Sequence, residues 1–277
     1  MEHKESSFQG VNELKIFYQK WIPDQPKAVI QLVHGIGEHS SRYGNVVDKL
    51  LPLGYAIYAD DHRGHGRSEG QRNHIDNFEQ YVDDEKMLFD IIKAEHHNLP
   101  VFMLGHSMGA LIAIYFTKEY EDLLQGIVLS GIGNDIGGDI SGFLRFMAKV
   151  LSAIAPKLAV AQGDLSKFLS HDENVVEEYR NDPNVYTEKT SARLGKELLT
   201  RYSKYQEFVQ DFKIPLLIQA GGEDKLVLGA KESADYFKME DKTVKIYNGL
   251  FHEVYNELKE DRDKVLEDLK NWLENHI

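Results

Sequence analysis

A serine hydroxyl becomes a useful nucleophile only when a base can take its proton and a carboxylate can orient that base. The segment Pro100–Gly109, PVFMLGHSMG, sets Ser107 between Gly105 and Gly109 at the end of an apolar run. By itself G-x-S-x-G arises by chance in roughly one chain in ten, given the usual abundance of both residues. Its context carries more weight: Val101–Leu104 reads as a strand and Ala110–Tyr120 as a helix, and a sharp strand-turn-helix passage is what lifts a serine Oγ above a sheet edge. The competing reading is a serine that merely N-caps a helix. When a serine sits on such a turn, its partners follow in the order acid, then histidine, each on a loop after a later strand. Of the 12 histidines, His252 in Gly249-Leu-Phe-His-Glu253 satisfies this after the run Val244–Tyr247. Asp224 in Gly221-Gly-Glu-Asp-Lys225 satisfies it after Pro215–Gln219, with Glu223 as its rival, and a buried core histidine is the plainer reading of His252. Acyl transfer also needs N–H donors aimed at the developing oxyanion. Met108, just after the nucleophile, supplies one, and Ile36 in the glycine-bearing loop His34–Ser40 supplies the other.

Two further clusters invite a metal reading: His34, Glu38 and His39, and Asp60, Asp61, His62 and His65. Glycines interrupt both, and neither has the helical i, i+4 pairing of a zinc site, so no metal is expected.

The elements that must position these groups follow from periodicity. Short apolar runs at Leu14–Trp21, Ala28–Val33, Tyr55–Ala59, Val101–Leu104, Gly126–Leu129, Pro215–Gln219 and Val244–Tyr247 read as strands. Between several of them lie helical stripes, such as Phe78, Val82, Glu85, Phe89 and Ile92, where four apolar residues surround one charge. Strands alternating with helices imply a mostly parallel central sheet flanked by helices. The first two runs are joined by the short loop Ile22–Lys27, which predicts that they pair antiparallel at one edge. The alternation stops after Ser130 and resumes near Ile214. The stretch opens with a glycine-rich polar segment, Gly131–Asp139, that reads as a flexible hinge. Pro156 and Asp182-Pro183 then divide it into helices. Residues 131–206 are therefore expected to form a helical cap inserted before the penultimate strands, with 1–130 and 207–277 making the core domain.

The chain of 277 residues has 42% hydrophobic content, enough for one large core with an insertion. A net charge of −13 argues against nucleic acid or an anionic membrane as partner, so a lipid substrate would be held by apolar contact. The absence of cysteine removes disulfide and thiol chemistry. The polar N-terminus lacks the apolar core of a secretory signal, which predicts a cytoplasmic protein. The apolar stretch Gly142–Ala155 is too short for a membrane span and carries Arg145 and Lys149, so it is read as an amphipathic cap helix.

The sequence resembles the monoacylglycerol lipase and lysophospholipase group of serine α/β-hydrolases. The resemblance rests on HGIGEHSSRY at His34–Tyr43, DDHRGHGRSEG at Asp60–Gly70, GHSMG at Gly105–Gly109, GGEDKLV at Gly221–Val227 and GLFHEVYNE at Gly249–Glu257. It implies the α/β-hydrolase fold, Ser107, Asp224 and His252 as a triad, Ile36 and Met108 as the oxyanion hole, and no cofactor. LSHDENVVEEYRNDPNVY at Leu169–Tyr186 looks like the cap of this group, although Asn184 stands where related sequences often carry an apolar residue. The expected activity is hydrolysis of monoacylglycerols to fatty acid and glycerol, with lysophospholipase or general carboxylesterase as the alternative. A peptidase of the same fold would need acidic groups such as Glu173, Glu177 and Glu178 to hold a charged N-terminus. For the cap stripe Phe143, Phe146, Met147, Val150, Leu151 and Ile154 two readings compete on equal terms: packing on the core, or part of the stripe lining an acyl tunnel and touching the lipid phase. Phe146, Met147, Val150 and Leu151 are the expected substrate contacts.

Overall fold

The computed structural model describes residues 1–136, 150–161, 165–186 and 189–277. In chain order the strands are β1 (Glu2–Gln9), β2 (Lys15–Ile22), β3 (Ala28–Val33), β4 (Tyr55–Asp60), β5 (Val101–His106), β6 (Gly126–Ser130), β7 (Asp135–Ile136), β8 (Ala159–Ala161), β9 (Lys189–Ser191), β10 (Leu216–Gly221), β11 (Val227–Leu228) and β12 (Lys242–Tyr247). The helices used below are α1 (Gly44–Leu50), α2 (Glu79–Glu95), α3 (Met108–Tyr120), α4 (Glu173–Asn181), α5 (Ala192–Lys204), α6 (Ala230–Ala234) and α7 (Lys259–Glu274).

Eight strands form one sheet in the order β1-β2-β4-β3-β5-β6-β10-β12. All neighbours from β4 to β12 are parallel, while β2 is antiparallel to both of its neighbours, β1 and β4. This is the α/β-hydrolase fold that the resemblance implied. The central strands are buried on both faces, which is why they read as continuous apolar runs rather than alternating ones. Along β3, Ala28, Ile30 and Leu32 pack with α1 and α7, while Val29 and Val33 pack with α2 and α3. The period of two in a strand thus divides one apolar run between two cores.

Three local expectations are corrected. The strand β2 is antiparallel, but its partners are β1 and β4 rather than β3. The connection β3-α1-β4 returns as a crossover to a parallel strand, and β4 comes to lie between β2 and β3. The loop Ile22–Lys27 then has only to step over one strand position, about 10 Å, which six residues span easily. Second, the polar N-terminus forms the edge strand β1, paired from Glu2↔Ile22 to Gln9↔Lys15. Its residues are mostly exposed, so no apolar alternation marked it. Third, residues 131–136 are not a loose hinge. Ile132 is fully buried and Asp135–Ile136 pair with Val227–Leu228. Glycine is needed there for space: a Cβ on Gly133 would lie 2.1 Å from the Leu228 carbonyl oxygen.

Residues 165–186 and 189–204 are sewn onto loops that leave the carboxyl ends of the strands. Tyr186 N–H donates to Gly37 O at 2.8 Å and Glu253 N–H donates to Leu169 O at 2.8 Å. His39 Nε2 meets Asp182 Oδ2 at 2.8 Å. The helix α5 buries Leu194, Leu198 and Tyr202 in the same core as α2 and α3, and its N-terminus is capped by Ser191 Oγ accepting from Leu194 N–H. Among the described residues no helix is long and apolar enough to cross a membrane.

The face covered by α7 supplies a test of the packing. Leu269 is fully buried there, so Leu269→Ala is expected to cost about 2–5 kcal/mol in denaturant unfolding. A loss below about 1 kcal/mol would mean that α7 is not packed on the sheet as described.

Candidate active site

Between β5 and α3 the chain turns on a single residue. Ser107 has φ 55° and ψ −117°, a conformation costing on the order of 1–3 kcal/mol in a residue other than glycine. It stands at the helix N-terminus, yet its side chain makes no capping hydrogen bond. The capping alternative therefore fails. Its backbone is held instead, with Ser107 N–H donating to Ser130 O at 2.8 Å. The flanking glycines are sterically required: a Cβ on Gly105 would lie 2.3 Å from Gly109 O, and one on Gly109 would lie 2.0 Å from Val33 O.

Two loops converge on this turn. A Cβ on Gly35 would sit 3.3 Å from Ser107 Cβ, so the loop after β3 is pressed against the serine. That loop carries Ile36. The N–H of Met108 opens α3, where helix geometry leaves the first N–H groups without intrahelical partners and the helix dipole favours negative charge. From the other side, the loop after β12 brings His252 over the end of β6. Its ring centroid is 4.7 Å from that of His106, and its Cε1 would be 2.9 Å from a Cβ on Gly131. His252 thus borders the residues on both sides of the Ser107–Ser130 backbone bond.

His252 Nδ1 meets Asp224 Oδ2 at 2.6 Å, and both side chains are only 4% exposed. Asp224 Oδ1 accepts from the N–H groups of Leu226 at 2.8 Å and Val227 at 3.1 Å, which fixes the carboxylate plane. Its rival Glu223 is exposed. Burial alone would raise the Asp224 pKa, but His252 and the two N–H donors hold it below the ordinary carboxylate range. For His252 burial works downward, and Asp224, with Glu253 and Glu38, outweighs it and raises the imidazole above 6.5.

A buried ion cluster ties the two loops together. Arg42 donates from Nη1 to Glu38 Oε2 at 2.7 Å, and through Nη1 and Nη2 to both oxygens of Glu253 at 2.7 Å. Glu38 also accepts from Gly35 N–H at 2.7 Å and from Tyr43 OH at 2.8 Å. The neighbours of Ile36 and of His252 are therefore fixed to one guanidinium. These residues lie within the quoted motifs, but their joint role was not legible without the fold.

The two clusters weighed as metal ligands separate. Glu38 and His39 are engaged as above, and Asp61 accepts from Ser40 N–H at 2.9 Å and Arg67 N–H at 2.8 Å. Asp60 and His62 do converge, but with Glu85, their ligand-capable atoms lying within 4.8 Å of one another. His62 Nδ1 is 3.3 Å from both Asp60 Oδ2 and Glu85 Oε1, as in an ion pair. The sequence signal for Glu85 was its place as the lone charge in the α2 stripe.

Of the expected substrate contacts, Phe146 and Met147, with Phe143, lie outside the described residues. Val150 and Leu151 are half-buried, and Ile154 is 75% exposed. Glu173, Glu177 and Glu178 are all exposed on α4, a solvated face rather than a pocket lining.

Residues 24–259 match the family described as "Serine aminopeptidase, S33". The chain is 36% identical to a monoacylglycerol lipase of Mycolicibacterium smegmatis, across 99% of this chain and 98% of the relative. It is 34% identical to a human monoglyceride lipase, across 93% and 86%. Its fold superposes on the crystal structure of a Paleococcus ferrophilus monoacylglycerol lipase with a TM-score of 0.83 at 28% identity, each chain being fully covered.

Two outcomes follow from the electrostatics. Arg42→Ala leaves Glu38 and Glu253 buried without their counter-ion and is expected to cost about 3–5 kcal/mol in unfolding free energy; an unchanged denaturation midpoint would contradict the clamp. In histidine NMR titrations, His252 should titrate above 6.5. Asp224→Asn should lower that value, because burial then acts without the opposing carboxylate; a rise would refute the assignment of the cause.

Proposed function

The chain belongs to the Serine aminopeptidase, S33 family, and from that premise we propose that it is a serine esterase that hydrolyses monoacylglycerols to fatty acid and glycerol. The observation that carries the reading is the strained, uncapped Ser107 together with a buried His252–Asp224 pair whose histidine packs on His106, next to the serine, in a chain whose similar proteins include monoacylglycerol lipases over nearly their full length.

In this mechanism Ser107 Oγ attacks the ester carbonyl while His252 Nε2 takes its proton. Asp224 holds Nδ1–H and so sets the tautomer that leaves Nε2 as the base. The N–H groups of Ile36 and Met108 receive the oxyanion, each worth about 10²–10³ in rate. His252 then returns the proton to the departing glycerol, and water repeats the sequence on the acyl-enzyme.

We assign residues 131–206 to a cap and 1–130 with 207–277 to the core. Among the described residues of this segment, Ile154, Leu158, Val160 and Leu165 are exposed large hydrophobics, and they support transient cap contact with an aggregated lipid phase. The exposed glutamates of α4 do not favour the peptidase alternative.

The expected result with purified protein is a preference for monoacylglycerols over lysophosphatidylcholine, a short p-nitrophenyl ester and an aminoacyl amide, with at least a 10⁴-fold loss in Ser107→Ala. Preference for lysophospholipid or amide would overturn the substrate assignment, and retained turnover in Ser107→Ala would overturn the nucleophile. Because His252 must be neutral to accept a proton, kcat/KM should fall as pH drops through a group titrating above 6.5. An acidic limb well below that value would exclude His252 as the base.

A further inference from the structure

The oxyanion reading of Ile36 raises a physical difficulty. Gly35, which precedes it, has no room for a side chain: a Cβ there would be 2.7 Å from Glu38 Oε1 and 3.3 Å from Ser107 Cβ. Glycine is also the residue whose dihedral angles are least restrained, so the peptide bearing the Ile36 N–H must be aimed from outside.

His34 supplies that restraint. His34 Nδ1 lies 2.7 Å from Gly35 O, and His34 Nε2 lies 2.9 Å from the backbone N of His62. A carbonyl can only accept, so Nδ1 must carry the proton; a backbone N–H can only donate, so Nε2 must be bare. Both contacts select the same neutral Nδ1–H tautomer. A trans peptide is planar, with its C=O and N–H pointing in opposite directions. Fixing Gly35 O therefore fixes where the Ile36 N–H points, and a hydrogen bond to that carbonyl polarises the N–H as well.

His62 is itself held. Its Nε2 is 3.0 Å from His34 O, so that nitrogen also carries a proton, while Nδ1 faces Asp60 and Glu85 at 3.3 Å each. The two rings stack with centroids 3.8 Å apart. The peptide between His34 and Gly35 is thus gripped at its oxygen by His62 and at its N–H by Glu38 at 2.7 Å.

We propose that His34, held as the Nδ1–H tautomer by the Gly35 carbonyl and the backbone N–H of His62, is the positioning residue that aims the Ile36 N–H at the oxyanion. The proposal rests on Ile36 being an oxyanion donor. It also gives the Asp60–His62–Glu85 cluster a supporting task, because the cluster fixes the His62 ring that holds His34 O. Burial keeps His34 far below the ordinary imidazole pKa, so the tautomer persists across the working range.

The test compares three variants of the full chain on a monoacylglycerol and a short ester. His34→Asn keeps a donor near the Nδ1 position, whereas His34→Gln places its amide near Nε2 and gives up the bond to Gly35 O. Ile36→Pro deletes the donor itself. The expected result is a kcat loss of about 10² for His34→Gln with KM within about threefold, recovery to within about tenfold of wild type for His34→Asn, and a loss of 10²–10³ for Ile36→Pro. Equal losses in His34→Asn and His34→Gln, or losses in KM alone, would overturn the proposal. If Ile36→Pro kept wild-type kcat, the oxyanion assignment would fall with it; if only Ile36→Pro were impaired, the assignment would stand and the role of His34 would fall. ¹⁵N NMR of the wild-type protein decides independently of folding in the variants: His34 must appear as the neutral Nδ1–H form, and an Nε2–H form would refute the relay.

Discussion

The turn at Ser107 is the constraint from which the rest of the site follows. A positive φ at a residue with a side chain stores strain, and it persists only because neighbouring backbone over-determines it. Here the Ser130 carbonyl holds the serine N–H, and α3 starts so close to β3 that Gly109 could accept no Cβ. The same closeness presses Gly35 against Ser107. Had the hydroxyl capped α3, the helix would gain about 1 kcal/mol, and the oxygen would be engaged with a backbone N–H of the first turn. The strain and the uncapped helix end are two costs of one geometry, and both leave Oγ available for chemistry.

Around that turn the protein relies on buried charge, which is weak evidence for stability but strong evidence for fixed geometry. Two polar networks hold the loop after β3. Arg42 joins Glu38 to Glu253, and His34 and His62 join the loop to Asp60 and Glu85. Replacing either network by apolar side chains of similar volume could leave stability unchanged or raise it. What apolar packing cannot do is specify the direction of a peptide plane next to glycine. Each hydrogen bond to Gly35 and His34 supplies that direction, so the desolvation cost of the ions is matched by orientation that dispersion forces do not provide.

The sequence made the chemistry more legible than the architecture around it. The proposed triad of Ser107, Asp224 and His252 could be nominated from residue type and loop position because a nucleophile elbow imposes glycines and each partner must follow a strand. The parallel strands were readable because burial on both faces makes them continuous apolar runs. The pairing of β2 was misread because loop length limits which strands can be neighbours without choosing among them, and β4 entered between through a crossover. The strand β1 was missed because an edge strand with mostly exposed side chains has no alternation to detect. Residues 131–136 looked like a hinge because glycine signals flexibility and close approach equally, and only the structure separates the two. Glu85 was visible as a charge in an apolar stripe, but its meaning required a partner 23 residues earlier in sequence, His62, and the sheet that brings them together.

Charge then bears on what kind of surface the proposed cap could meet. With a net charge of −13, the chain is repelled by anionic surfaces over about a Debye length, near 8 Å at physiological salt. Ile154, Leu158, Val160 and Leu165 gain by leaving water only at short range. For an anionic bilayer the repulsion comes first and opposes the approach; for droplets or micelles of an uncharged lipid no such barrier exists. A monoacylglycerol has an uncharged glycerol headgroup, so an acidic enzyme loses nothing electrostatically by seeking it and is disfavoured at the anionic membranes around it. On this reading the surface charge acts as a filter on lipid phases before any pocket discriminates between molecules, which a triad shared by many esterases could not do alone.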